Sequence, residues 1–455
     1  MINNVILTEG KIRSALVKLA LPIMGTSFIQ MAYNLTDIMW LGRLSTDAVA
    51  AAGVAGFFLW FGEALVMIAR VGVGVKVAQL YGKGDLEGAK NYINNGLQLN
   101  LCIAILYSLF LYIFRHQIIG FFQIEDADVS KMAVEYLTII SIGITFHFLN
   151  PVFSAILNST GNSITPFKTN TIGLIANIVI DPLLIFGFGP LPALGIKGAA
   201  LATILSQFFV TIIFLLIGKR FDTIYSHAKL FNKPSFPIIK NIVKIGFPPF
   251  TQMGIHAGIA IILARILATF GPVAIAVQSI GSQIESITWM TTEGFSAAIS
   301  AFVGQNFGAG KIKRIKEGYV KGIQIIGGIG IFATLLLIFG AEPLFTLFTP
   351  NDPIAIKEGI IYLQILGLSQ FLMAIEIGTT GAFNGLGKTI FPTVNGIILN
   401  VLRIPAALIL SKILGLSGVW WAITISSNLK GIILFTLFYF YWKHFEKNHS
   451  KNSPL

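Results

Sequence analysis

The sequence predicts an all-α integral membrane protein with twelve transmembrane helices in two pseudo-symmetric six-helix lobes. Three observations carry that prediction. Charged residues are 11% and hydrophobic residues 55% of the 455-residue chain, whereas a soluble domain is about a quarter charged. Apolar stretches long enough to cross a bilayer recur along the whole length. Sequence signals in the first half also return in the second at a constant spacing.

A helix crosses the hydrocarbon layer in about 20 residues, and its backbone must satisfy itself internally. Apolar stretches of that size fall near 15–41, 48–69, 92–114, 132–155, 165–187 and 198–218, then near 241–266, 273–302, 319–346, 358–381, 391–410 and 417–441. The opening MINNVILTEGKIRSALVKLALP has no small-residue cleavage site, so insertion is expected to begin with the first span. With both termini cytoplasmic, the inner segments hold most of the lysines and arginines. The outer loops hold Arg43, Arg115, Lys131, Lys197, Lys357 and Lys412, while Arg265, Arg403 and Lys430 lie within or at the ends of spans. That bias follows the positive-inside rule. The net charge of +12 therefore reads as topology, and nucleic acid is not an expected partner. Residues 219–240, with Pro234 and Pro237 among several lysines, read as a cytoplasmic linker between lobes 1–218 and 241–455.

The halves align at an offset of about 226 residues. Pro22 in KLALP falls on Pro248 in KIGFP. Gln79, Gly82 and Gly84 of AQLYGKG fall on Gln305, Gly308 and Gly310 of VGQNFGAG. Gly161 and Pro166 meet Gly387 and Pro392, and LGIKG at Leu194 meets LGLSG at Leu414 after the offset shrinks to about 220. Each repeat has an even number of spans, so both begin on the same membrane face. Parallel repeats of this kind form transporters in which a cleft between lobes opens to alternate sides.

An ionised carboxylate near the bilayer centre costs about 2.5–3.5 kcal/mol on insertion scales, so it needs a partner, water or a proton. Asp37 lies deep in the first span, where Gln30, Tyr33, Asn34 and Asp37 recur at spacings of three and four and share a face. Pro22 removes a backbone donor and is expected to bend that span. Asp181 follows Asn177 by one turn in the fifth span, and Thr203, Ser206 and Gln207 form a polar edge on the sixth. Carboxyl groups in such surroundings can load and release a proton, and the same oxygens suit Na+; each aspartate could instead serve only to hydrogen-bond a helix. Glu63, Glu285, Glu293 and Glu376 read equally as gating groups or structural ones. His256 occupies the repeat position of Gln30, on the expected inner face of the second lobe.

Several chemistries are excluded. Gly381–Thr389 nearly imitates a phosphate-binding loop, but Ala382 stands where glycine is required and the segment joins two membrane spans. The single cysteine, Cys102, rules out disulfide frameworks and reads as a packed thiol. There is no metal-ligand cluster and no catalytic triad spacing. The chain is not expected to be an enzyme or to need a cofactor, and an ion gradient is the expected energy source.

Together LALP, YNLTDIMWLGRL, AQLYGKGD, NSTGNSITP, NIVIDPLLIFG, LGIKGAALAT and VGQNFGAGK span nearly the whole chain. At these residues the sequence resembles the multidrug and toxic compound extrusion (MATE) family, and its DinF-like branch more than its NorM-like branch. The resemblance implies a V-shaped antiporter in the cell membrane, acting as a monomer, that exports amphipathic and often cationic small molecules in exchange for H+ or Na+. It carries the ion-coupling role onto Asp37, Asn177, Asp181 and Thr203, with Pro22 as the bend, and substrate contact onto Gln30, Tyr33, Tyr136, Asn150 and Ser206. The polar positions Asn34, Gln207 and His256 are added to that substrate set from the residue reading. Where NorM-like members hold an acidic pair in the second lobe, this chain offers His256 and Met373, so a second-lobe Na+ site is not expected. The alternative substrate class is a lipid-linked saccharide, for a flippase; a channel or receptor is a further reading, against which the duplicated lobes argue.

Overall fold

The computed structural model describes residues 4–190, 192–221, 223–226, 232–350 and 352–450; residues 222 and 227–231 of the expected linker lie outside them. The described residues form fourteen helices. The first six are α1 (Ile12–Leu44), α2 (Thr46–Lys83), α3 (Leu86–Gly120), α4 (Ala127–Ser159), α5 (Ile164–Ile185) and α6 (Ile196–Phe221). After the linker come α7 (Phe236–Ala268), α8 (Pro272–Gly308), α9 (Ile312–Phe339), α10 (Ala341–Thr346), α11 (Pro353–Gly367), α12 (Gln370–Gly385), α13 (Ile390–Leu414) and α14 (Leu416–Ser450).

Ten of these are long and apolar enough to cross a membrane, and α11 with α12 makes an eleventh as one span bent by 47°. The expected span 358–381 is this broken pair. Its break falls at Leu368–Ser369, where the chain leaves one helix and starts the next. The remaining expected span is α8, which is 37 residues long. It falls outside the apolar set because Gln278, Ser282, Gln283, Glu285 and Ser286 interrupt its first half, and Thr288, Thr291, Thr292 and Glu293 its middle. Glycines matched by the repeat have the same backbone role in both halves: Gly84 and Gly310 stand at φ 80° and 69°, and Gly161 and Gly387 at 90° and 73°. Such left-handed turns favour residues without a Cβ.

The chain separates into two compact units. Unit 1 is Met1–Ile6 with Leu21–Phe250, and unit 2 is Leu7–Ala20 with Thr251–Leu455. These units cut across the lobes 1–218 and 241–455 in two places. The first part of α1 belongs with unit 2, and the first part of α7 belongs with unit 1. Membership changes beside Pro22 and beside Pro248 and Pro249, while both helices continue through their prolines.

In unit 1, α4 packs on α2, α3 and α6, around a core that includes Phe148, Val152, Phe153 and Phe214. The linker is fastened to this unit: Gln98 donates to the Asn232 carbonyl at 2.7 Å, and Asn95 accepts from the Ser235 amide at 2.6 Å. In unit 2, α12 packs on α8, α9 and α14. There Arg314 donates to the carbonyls of Leu7, Glu9 and Gly10, and Asn306 also donates to Leu7. The same segment begins in unit 1, where the Val5 amide bonds Gly161 at 2.9 Å.

The start of α7 is seated by bare backbone. A Cβ added at Gly246 would collide with the Ile68 carbonyl, and one at Gly72 with the Ile242 carbonyl. One glycine on each helix, a turn away from the isoleucine whose carbonyl the other helix's glycine meets, permits this approach, and in lipid such packing takes the place of the hydrophobic effect. Gly246→Val is therefore expected to lower the melting temperature in detergent, since overpacking costs about 1–3 kcal/mol. Gly258→Val, on the same helix with open space around it, should change it little; equal loss from both would assign the effect to helix propensity.

Candidate functional site

Four helices of unit 1 bring the predicted polar residues together. Asp181 and Asn177 lie on one face of α5 and are fully buried; the Asn177 amide donates to Asp181 Oδ1 at 3.1 Å. From α6, Thr203 donates to Asp37 Oδ2 at 3.3 Å and also to its own helix at Ala199. The Asp37 and Asp181 carboxyls are within hydrogen-bonding reach of one another. Two carboxyl groups so placed share a proton more readily than they hold two charges.

Hydroxyls close the cluster. Tyr33 on α1 faces Ser206 and the two aspartates, and Tyr136 on α4 faces the same aspartates and Thr203. Both tyrosines are buried. No protein donor reaches Asp37 Oδ1, Asp181 Oδ2 or Asn177 Oδ1, although all three atoms are buried. Buried oxygens in this state call for a proton or a cation. A carboxylate-rich oxygen set of this kind has the chemistry to take up a proton or a hard cation.

The polar stripe on α1 divides into two rows. Tyr33 and Asp37 turn toward α5 and α6, whereas Gln30 and Asn34, on the adjacent row, are exposed. Spacing alone put all four on one broad face; packing separates those that meet the carboxylates from those left open. Asn150 and Gln207 are engaged with each other. The Asn150 amide nitrogen donates to the Gln207 side-chain oxygen at 2.8 Å and to its backbone carbonyl at 2.9 Å, while Thr211 donates to Asn150 Oδ1 at 2.8 Å. This lock joins α4 to α6. Thr211 had no signal in the sequence beyond its place one turn after Gln207.

Glu63 of α2 finds a partner the sequence did not reveal: His147 Nε2 of α4 lies 2.8 Å from its Oε1. His256 belongs to unit 2, on α7, with Nδ1 3.4 Å from the Asn400 amide nitrogen. Unit 2 also buries charge. Lys430 of α14 pairs with Glu376 of α12 at 3.2 Å. Glu285 of α8 accepts from Tyr362 and Gln370, each at 3.0 Å. The break between α11 and α12 places Gln370 at the first turn of α12, where it reaches α8. Cys102, expected to be packed, is exposed on α3, where an apolar helix turns a side outward.

The MatE family signature matches residues 22–183 and again 248–409, so its two copies begin at the repeat prolines. A probable multidrug resistance protein NorM of Thermotoga maritima is 30% identical over 418 residues, which covers 90% of this chain and 88% of that protein. A protein named FAD transporter, from Shewanella oneidensis, is 26% identical over 443 residues, 95% of either chain. Crystal structures of a MATE protein in the bent and the straight conformation match with TM-scores of 0.90 and 0.89. Both are 24% identical, covering 98% of this chain and 98% and 99% of theirs; they speak for the fold.

Proposed function

Because the chain belongs to the MatE family, a family of multi-span membrane transporters, we propose that it is a secondary antiporter exporting amphipathic, often cationic small molecules in exchange for H+ or Na+. The observation that carries this reading is the Asp37–Asp181 pair, with Asn177 and Thr203 as its hydrogen-bond donors and three buried oxygens lacking one. An ion entering the pair satisfies those oxygens, and its release leaves two carboxylates that attract the cationic head of a cargo. Tyr33 and Tyr136 bring aromatic faces beside the carboxylates, a combination that suits an organic cation. Exchange follows if ion and cargo stabilise different states of unit 1. The charge bias of the loops supports a cell-membrane protein with both termini cytoplasmic; we take it to act as a monomer.

The test is transport in proteoliposomes with imposed gradients. A cationic dye is expected to move against an opposing H+ or Na+ gradient and to stop when that gradient is collapsed by an ionophore. Dye movement indifferent to both gradients would sink the antiport reading.

A further inference from the structure

Unit 2 holds a buried cation whose obvious counterions are engaged elsewhere. Arg403, on α13, is only 7% exposed. Its Nε donates to Ser426 Oγ at 2.8 Å and one terminal nitrogen to Ser427 Oγ at 3.4 Å, both on α14. Of the two carboxylates in this part of the unit, Glu376 is paired with Lys430 and Glu285 is held by the neutral donors Tyr362 and Gln370. Among the described residues no carboxylate lies within ion-pair distance of the guanidinium. A guanidinium has five N–H donors; the serine hydroxyls take two and leave one terminal nitrogen wholly unbonded. A charge in this state is costly within a membrane unit, and its flat fork matches an oxyanion.

Other polar groups lie beside it. His256 is exposed on α7 and sits against Asn400, one turn before Arg403 on α13. Asn400 is itself 3% exposed, and its Oδ1 has no hydrogen-bond partner. An exposed imidazole, a buried amide with a free oxygen and a buried guanidinium with free donors thus stand close together in unit 2.

We infer that Arg403 is a specificity-determining residue that receives an oxyanion, a carboxylate on the exported amphiphile, so that unit 2 selects zwitterionic cargo alongside simple cations. The inference rests on the efflux reading above and adds a cargo class to it. Ser426 and Ser427 aim the fork, and the Lys430–Glu376 pair keeps Glu376 from occupying it.

Two xanthene dyes that differ only in a free carboxylate against its methyl ester separate this role from a structural one. Binding to the purified protein in detergent is measured by fluorescence polarisation, and transport in phosphatidylcholine vesicles. Arg403→Gln is expected to weaken the carboxylate dye by about tenfold or more, the worth of a hydrogen bond to a charged group, and to leave the ester within about twofold. Arg403→Lys keeps the charge but loses the fork, and should fall on the same dye. Equal loss of both dyes by a variant that melts like the parent protein would overturn the inference, as would no loss of either. If neither Arg403 variant folds, Ser426→Ala, which only frees the fork to turn, should weaken the carboxylate dye alone; equal weakening is the contrary result. Discrimination that appears only when phosphatidylglycerol is added would assign the oxyanion to lipid and refute the cargo role. Parent protein that binds both dyes but transports neither would count against the efflux reading, while the binding comparison still decides the role of Arg403.

Discussion

Asp37→Asn is expected to reduce ion-driven efflux to the level of empty vesicles while the protein still folds. The substitution keeps size and shape, and Thr203 can still donate to the remaining oxygen, as it does to Asp37 Oδ2 at 3.3 Å. What is lost is the ability to gain and release a charge. Asp181 then has no second carboxyl with which to share a proton, and the alternation between loaded and empty forms proposed above is expected to stop. Thr203→Val removes one hydrogen bond to a charged group, and a reduction of about tenfold is expected from that alone. Gradient-driven dye transport in proteoliposomes, read beside the melting temperature in detergent, checks both. Full efflux by Asp37→Asn would overturn the coupling assignment.

Lys430→Met should be the most destabilising single change in unit 2. Lys430 and Glu376 are 12% and 8% exposed at the side chain and 3.2 Å apart. Removing one member of a buried pair strands the other, at about 3–5 kcal/mol, whereas replacing both by neutral groups can be close to neutral. The double change Lys430→Met with Glu376→Gln should therefore recover most of the melting temperature lost by the first alone. A single variant that melts like the parent protein would show that Glu376 finds another partner or a proton. A double variant no better than the single would show that Lys430 matters through packing of its stem.

Much of the architecture was legible because lipid imposes a coarse code. Span number and the repeat follow from apolar length and recurring turn residues, which leave marks in sequence. Partner choice leaves fewer. Asp37, Asn177, Asp181 and Thr203 stood out as polar groups in apolar runs, and the family resemblance grouped them. That Asn150 would lock onto Gln207 and Thr211 depended on how α4 meets α6. Glu63 was visible as an intramembrane acid, but His147 carried no motif to name it as a partner. In the same way Glu376, Lys430, Glu285 and Arg403 were seen singly. Which carboxylate meets which cation is decided by the crossing of α8, α12, α13 and α14 and by the break before Gln370. The repeat also implied lobes with clean edges, and nothing in periodicity could show that the first parts of α1 and α7 take their contacts from opposite units.

That exchange of half-helices sets an order on biosynthesis. Unit 1 needs the residues up to Phe250 for its last packing surface, Gly246 against Ile68, so it is incomplete when the ribosome has finished the first six helices. Leu7–Ala20 is made some three hundred residues before its partners, Asn306 and Arg314 among them. Until those partners are made, the carbonyls of Leu7, Glu9 and Gly10 lack the donors that hold them in the folded protein. A chain severed in the linker would therefore yield two fragments that each lack a piece of their own fold and mature only when they are made together.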